Sequence, residues 1–368
     1  MGEVQEVVEM KKGGKNRIAR CESKARLAIL ELAHMMSVPM SLMAVINLKV
    51  PEAIWQDGSN TPLSAAQILD IIRPSGGGDA ENLQRLLRLL SSYDIFLEHL
   101  SSTAQRKYSL TDVGISLVDD DQGLSYAYYM LQHHQDALMR AWPLVGEAVE
   151  DSTTEPFVKA NQESAIEYYT KRPEEMKLIH KCFSGISIPF MREMLQVYDG
   201  FQGVETVVDV GGNSGVSLRM IMDKYPNVRK GINYDLPQML SHALHIPGVT
   251  HVGGNAFESV PPGDAIFIRW AILGWTDEET KLVFQNCYKA LPEYGKLIVC
   301  DPVLPEQTDK SSSTKTLLSG DVFIMTMHTT KSKHRTEQQF KQLGISAGFP
   351  RLRVFYTDSY FTVLEFQK

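Results

Sequence analysis

Val208-Asp209-Val210-Gly211-Gly212-Asn213-Ser214-Gly215 is the stretch that decides the fold. It completes Thr206–Val210, a short apolar run that reads as a buried parallel strand, and it leads into a helical pattern over residues 218–224. Glycines at a strand-to-helix turn let the backbone approach a ligand closely at a helix N-terminus. Outward from this turn, residues 231–235 read as a second strand stopped by Pro237. Residues 265–268 read as a third strand and 295–300 as a fourth, with helical stretches between, including 278–290. Alternating strands and helices predict an α/β doubly wound, Rossmann-like parallel sheet. Residues 351–356 and 360–366 are two more strands, joined by a link too short for a crossover helix. The chain therefore ends in an antiparallel hairpin.

The first half reads helical. Residues 25–48 are a long apolar run with Met35, Met36, Met40 and Met43, suited to an adaptable packing surface. Ser64 opens a helix carrying Ile68, Ile71 and Ile72, and Leu83, Leu86, Leu87, Leu89 and Leu90 recur at helical spacing. Two short extended pieces follow, 95–100 and 106–110, so the pattern is two helices and a β-wing. Winged helices often bind nucleic acid, but this chain has 37 basic and 44 acidic residues, a net charge of −7. That balance points the module toward dimerisation rather than nucleic acid. Its 368 residues predict two or three domains, and 43% hydrophobic content supplies an ordinary core. We expect a flexible tail over 1–22, a mostly α winged-helix domain over 23–124, a helical segment over 125–190 and the sheet domain over 191–368. The uncharged stretch 34–48 contains Pro39 and falls short of the roughly 20 residues of a bilayer span. The four cysteines are scattered without CxxC pairing, which predicts a reduced cytoplasmic setting, no membrane partner and no metal site.

The glycine turn carries two acids. Asp209 lies inside the strand, and Asp235 ends the next one, where a carboxylate can accept from both hydroxyls of a ribose. A glycine turn of this kind also serves NAD. However, an acid just before the glycines suits a cationic ligand, and a terminal hairpin is foreign to a dehydrogenase sheet. S-adenosylmethionine, with its ammonium and sulfonium, fits both observations.

Several further segments resemble those of the plant caffeic acid O-methyltransferase type of small-molecule methyltransferase, a group that includes N-methyltransferases. They are Asp235-Leu236-Pro237, His251-Val252-Gly253-Gly254, Trp275-Thr276-Asp277-Glu278, Asn286 through Pro292, and Arg335-Thr336 leading to Phe340. The resemblance runs from about Ala25 to the C-terminus. It implies a homodimer, S-adenosylmethionine as cofactor and a small aromatic substrate. It places Asp209, Gly211, Gly212, Gly215, Asp235 and Leu236 at the cofactor. Asn255 and Ala256 stand where the family has Asp-Met beside the adenine, and Arg269 stands where it has Lys near the sulfonium. His133, Phe183, Ile186, Trp270 and Met325 fall at positions that wall the family's substrate pocket.

The family's general base is a His in a Trp-x-x-His-Asp-Trp segment. Here the segment is Trp270-Ala271-Ile272-Leu273-Gly274-Trp275, so Leu273 marks the lost base. The two supporting glutamates fall on Asp301 and His334. A phenol with a pKa near 10 is only about one part in a thousand ionised at pH 7, so it needs a base to attack a methyl group. Four outcomes are open. The acceptor is nitrogen or an acidic hydroxyl and needs no base; His334 or His133 replaces the base, as histidines titrate near neutrality; the fold performs a non-methylating cyclisation, pericyclic or dehydration step; or the chain is a non-catalytic dimer partner.

Overall fold

The computed structural model describes residues 17–102, 104–243, 245–357 and 360–368. The chain divides into two compact units, one ending at Asp120 and the other running from Asp121 to Lys368. Most of the expected tail, residues 1–16, lies outside the described residues. Its last part already belongs to the first helix, Arg17–His34.

In the first unit, the apolar run 25–48 is two helices rather than one. Ser37–Asn47 starts anew after a turn at Met35-Met36, and Pro39 sits in its first turn, where a missing N–H costs little. Ser37 Oγ donates to the carbonyl of His34, closing the break. Ala65–Ile72 is capped by Ser64 with Gln67 in a reciprocal box, and Ala80–Ser91 is capped by Asp79. Strands β1 (Phe96–Leu100) and β2 (Arg106–Leu110) form the antiparallel wing. Ile68, Leu83, Leu87 and Leu90 are buried between these elements, as their spacing predicts. Leu27, Ile29, Leu30 and Leu32 are more than half exposed. Ser23–Asn47 is long and apolar enough to cross a membrane by length and composition, because a span tolerates a charge that an uncharged count does not. A surface this apolar on one module asks for a covering partner.

In the second unit, β3 (Thr206–Val210), β4 (Lys230–Asp235), β5 (Val249–Gly253), β6 (Ala265–Arg269) and β7 (Lys296–Asp301) run parallel. Val303–Leu304 (β8) pairs with Arg335–Thr336 (β9) in a separate short ladder. Arg351–Tyr356 (β10) and Thr362–Gln367 (β11) are the predicted hairpin, and β11 lies antiparallel to β7. The order across the sheet is β10-β11-β7-β6-β3-β4-β5. Strand β5 has no apolar run to announce it, because it is an edge strand with the adjacent polar residues Thr250 and His251 at its centre. Val208, Ile266 and Val299 bury on one face, while Val207, Phe267 and Ile298 bury on the other. Both faces are covered, which explains the near-continuous apolar strands.

The chain leaves β3 toward β4 on one side and returns to β6 on the other. That reversal opens a crevice at the carboxyl ends of β3 and β6, the usual ligand position in such sheets. The helix Pro173–Val197 packs beside it and runs unbroken through the expected boundary at 190, so the helical segment and the sheet are one body. This helix meets the loop before Ala127–His133 at Gly185, where an added Cβ would lie 2.6 Å from the carbonyl oxygen of Ser125. Gly185→Ala gains about 0.5–1 kcal/mol of helix propensity but forces a backbone contact apart, typically at about 1–3 kcal/mol. Chemical denaturation should show a less stable variant; equal or greater stability would mean that the two segments are not in such close contact.

Candidate active site

The crevice holds a cavity of about 270 Å³. Asp209, Gly211, Gly212, Asn213, Ser217 and Arg269 line it from the sheet side, and His180, Phe183 and Ser187 line it from the helix Pro173–Val197. The turn is built on positive backbone angles at Gly211, Asn213 and Gly215. A Cβ on Gly212 would lie 2.1 Å from Asn233 Oδ1 and 2.7 Å from Asp209 Oδ2, so only glycine lets the turn close over these groups. The Gly211 N–H donates to the carbonyl of Tyr234 at 2.8 Å. Asp235 Oδ2 accepts from the Asn213 N–H at 2.9 Å, tying the second acid directly to the turn. Asp235 and its neighbour Leu236 stand at the carboxyl end of β4. The Gly254 N–H donates to the carbonyl of Asp235, which brings Asn255 and Ala256 alongside. Asn286 Nδ2 donates to the carbonyls of Ala256 and Phe257 and fixes that loop. The sequence marks Asn286 only as the start of the segment 286–292, and spacing alone does not announce this task.

Three buried ionisable groups follow one another along the carboxyl ends of β3, β6 and β7. They are Asp209, Arg269 and Asp301. Asp209 Oδ2 and Arg269 Nη1 have no hydrogen-bond partner among the described residues, and the Asp301 carboxyl has at most a weak one from the backbone of Ile272. Burial raises the carboxyl pKa to about 7 at Asp209 and about 8 at Asp301, against the pull of neighbouring arginines. Arg269 donates from Nε to Ser217 Oγ at 3.3 Å. Polar atoms left unpaired in a buried cluster are costly unless a ligand or water completes them.

Trp270 adopts a left-handed backbone with φ 53°, a strain of about 1–3 kcal/mol for a bulky residue. Its N–H donates to the carbonyl of Cys300 at 3.0 Å, and its ring sits edge-on to Phe183 and Phe361. The strained residue lines both the first cavity and a second, mostly apolar one of about 190 Å³. Tyr126, Tyr129, Ile186, Thr316 and Tyr360 also line the second cavity. None of these except Ile186 and Trp270 was predicted.

Leu273 is buried among Leu138, Phe157, Tyr169, Phe323 and Ile324. Gly274 beside it has open space where a Cβ would be, so the missing acid is not a steric exclusion. The loop is clamped by Arg335, whose guanidinium donates to the carbonyls of Ile272 and Trp275 and pairs with Asp277 at 2.8 Å. Ser332 Oγ donates to the carbonyl of Gly274.

The remaining expected residues divide. Phe183 lines the first cavity and Ile186 the second. Met325 lines neither; it follows Phe323 and Ile324 on its helix, and those two pack in the Leu273 cluster. His133 also lines neither. Its ring stacks on Phe323 at 4.1 Å, its Nδ1–H donates to the carbonyl of Tyr129, and burial pulls its pKa down to about 3. His334 donates from Nδ1 to the carbonyl of Leu317, lies edge-on to Tyr360 and lines neither cavity, and burial lowers its pKa.

Residues 142–350 match the family model of the O-methyltransferase domain, and residues 30–120 match that of the O-methyltransferase dimerisation domain. A Glycine max protein named nicotinate N-methyltransferase 1 is 62% identical over 345 residues, covering 94% of this chain and 97% of that one. Its Arabidopsis thaliana namesake is 57% identical over 96% and 99% of the two chains. A caffeic acid 3-O-methyltransferase of Catharanthus roseus is 39% identical over 91% and 93%. Among solved structures, a methyltransferase of calicheamicin biosynthesis with S-adenosylhomocysteine bound has a TM-score of 0.80 at 22% identity, over 96% of this chain and 100% of that one. Human N-acetylserotonin methyltransferase with S-adenosylmethionine has a TM-score of 0.76 at 16% identity, over 97% and 99%. At these identities the likeness shows the fold.

A carboxyl whose pKa is raised on folding stabilises the fold while protonated. That contribution is complete below about pH 4 and is lost as the pH climbs through about 7 and 8. The unliganded protein should therefore lose stability between about pH 4 and pH 8, by up to about 1.4 kcal/mol per pH unit for each group. Asp301→Asn should flatten part of the decline in thermal melts; an unchanged slope would remove Asp301 from it.

Proposed function

The chain belongs to the O-methyltransferase family, and we propose that its acceptor is the ring nitrogen of a pyridine carboxylate of the nicotinate type. The enzyme is an S-adenosylmethionine-dependent methyltransferase. The residues present fit that cofactor. Gly211 and Gly212 leave a cradle without side chains, Asp235 is presented at the adjacent strand end, and the unpaired Asp209 carboxyl lines the cavity. When bound, the cofactor supplies an electrophilic methyl group on a sulfonium. Asp209 and Arg269 would meet its charged amino-acid end, Asp235 its ribose, and Asn255 with Ala256 the edge of its adenine.

The observation that carries the nitrogen reading is Leu273, sealed in an apolar cluster where a proton acceptor would otherwise stand. None of the other candidates is poised to replace it. His133 is hard to protonate, His334 lines neither cavity, and Asp301 already holds a proton near neutrality. A pyridine nitrogen carries no proton to lose, and its lone pair lies free in the ring plane. Attack on the methyl carbon makes the N–C bond, breaks the C–S bond and leaves the positive charge on the ring. What remains for this chain is to orient the ring and exclude water, and Trp270 occupies the shared wall where it can do the first. The second cavity is below the roughly 300–1,000 Å³ of drug-sized sites, which suits a single ring rather than a longer phenylpropanoid. Relatives named nicotinate N-methyltransferases support the same acceptor, and neither the non-methylating reading nor the dimer-partner reading finds support among them.

The exposed apolar residues of Arg17–His34, with Met35 and Met36 after them, overlap the start of the dimerisation match, and a second copy of the chain is the covering partner this reading assigns to them.

Incubation with S-adenosylmethionine and pyridine-3-carboxylate should give a product one methylene heavier, methylated at nitrogen by NMR. Methylation of caffeic acid instead, or of neither compound, would overturn the assignment. Asp235→Ala should weaken cofactor binding by about 1–3 kcal/mol in calorimetry, since the ribose hydroxyls lose their acceptor; an unchanged dissociation constant would displace the cofactor from this crevice.

A further inference from the structure

A pyridine carboxylate poses a recognition problem that its nitrogen does not. The ring nitrogen becomes cationic in the reaction, so a fixed cation placed to bind the carboxylate would repel the charge being made. The second cavity has no Lys, Arg or His among its lining residues. Its side-chain donors are the hydroxyls of Tyr126, Tyr129, Thr316 and Tyr360 and the indole N–H of Trp270, and two of the phenols come from distant parts of the chain. Tyr129 belongs to the helix Ala127–His133, and Tyr360 lies just before β11. The pairing of Thr362 with Asp301 across β11 and β7 delivers Tyr360 to the carboxyl end of the sheet. Tyr129 lies close enough to Tyr360 to oppose its ionisation, as Asp301 and Asp321 also do, and among the described residues neither hydroxyl donates to a protein acceptor. Burial raises both pKa values, so both remain O–H donors throughout the physiological range. Tyr129 is further held by the His133 ring at 3.8 Å, and Tyr360 by the edge of Phe361 at 5.3 Å. Glu193, the charged group on the same wall, has the sign that steadies a cationic ring nitrogen rather than a carboxylate.

We propose that Tyr129 and Tyr360 form an uncharged carboxylate-binding pair, each donating its phenol hydrogen to the ring-borne carboxylate of the acceptor. This rests on the pyridine carboxylate reading and names its specificity device. Two neutral donors recognise the anion without a cation, and Trp270, in the wall of the same cavity, separates them from the cofactor crevice. Uncharged pyridines keep the ring contacts and lose the charge-assisted part of the hydrogen bonds.

The test uses the full-length chain saturated with S-adenosylhomocysteine, with pyridine-3-carboxylate and pyridine-3-carboxamide titrated separately by calorimetry. Tyr129→Phe and Tyr360→Phe keep both rings and remove one hydroxyl each. Each should weaken carboxylate binding about tenfold and the double variant about a hundredfold, with a much smaller loss for the carboxamide. S-adenosylhomocysteine affinity should hold in all variants. Equal losses for both pyridines, unchanged carboxylate binding, or wild type that fails to bind the carboxylate would each overturn the pair. Turnover measured in parallel separates the two readings. A wild type that binds through the tyrosines but transfers no methyl to nitrogen keeps the site and removes the reaction.

Discussion

The buried guanidinium of Arg335 is the constraint on which the site depends. It is 1% exposed, and it spends its donors on the carbonyls of Ile272 and Trp275 and on Asp277. Those bonds fix the loop that follows β6, so Trp270 is held in a strained conformation and Leu273 is turned into an apolar cluster. A guanidinium that deep is stable only because every direction in which it points finds an oxygen. The loop has little freedom to bring a different side chain to the cavity.

From that constraint the chemistry follows by subtraction. A positioned base usually contributes about 10²–10⁴ in rate, or roughly 3–5 kcal/mol, and this loop offers a leucine instead. The loss matters only for an acceptor that must shed a proton. For a nucleophile with an open lone pair, the apolar wall becomes an advantage, because it excludes water and leaves charge to move from sulfur to nitrogen without solvent reorganisation. Asp209 and Arg269 line the cofactor crevice, and Asp301 follows them at the carboxyl end of β7.

Much of this was legible in the sequence, for identifiable reasons. Thr206–Val210 between glycines could only be a buried strand feeding a turn, and the Ser64 and Asp79 caps mark helices that form where expected. Leu273 was legible as an absence because the residues around it keep their pattern. What failed to show was anything set by packing across the chain. Strand β5 has no apolar run to announce it, and the turn at Met35-Met36 hides inside an unbroken hydrophobic stretch. His334 reads as a base by residue type, yet one ring nitrogen donates to the carbonyl of Leu317 and the ring lines neither cavity. His133 is likewise committed, between two aromatic rings. Tyr360 could not be read as a site residue at all, since only the antiparallel pairing of β11 with β7 carries it to the carboxyl end of the sheet.

Proton release per methyl transferred tests the base-free reaction most directly. Methylation of a pyridine nitrogen consumes no acceptor proton, whereas methylation of a phenol or an aromatic amine releases one for each product formed. In weakly buffered solution with an indicator dye, turnover should proceed with no measurable acidification. One proton released per product would contradict the account and require a proton acceptor in the place that Leu273 occupies.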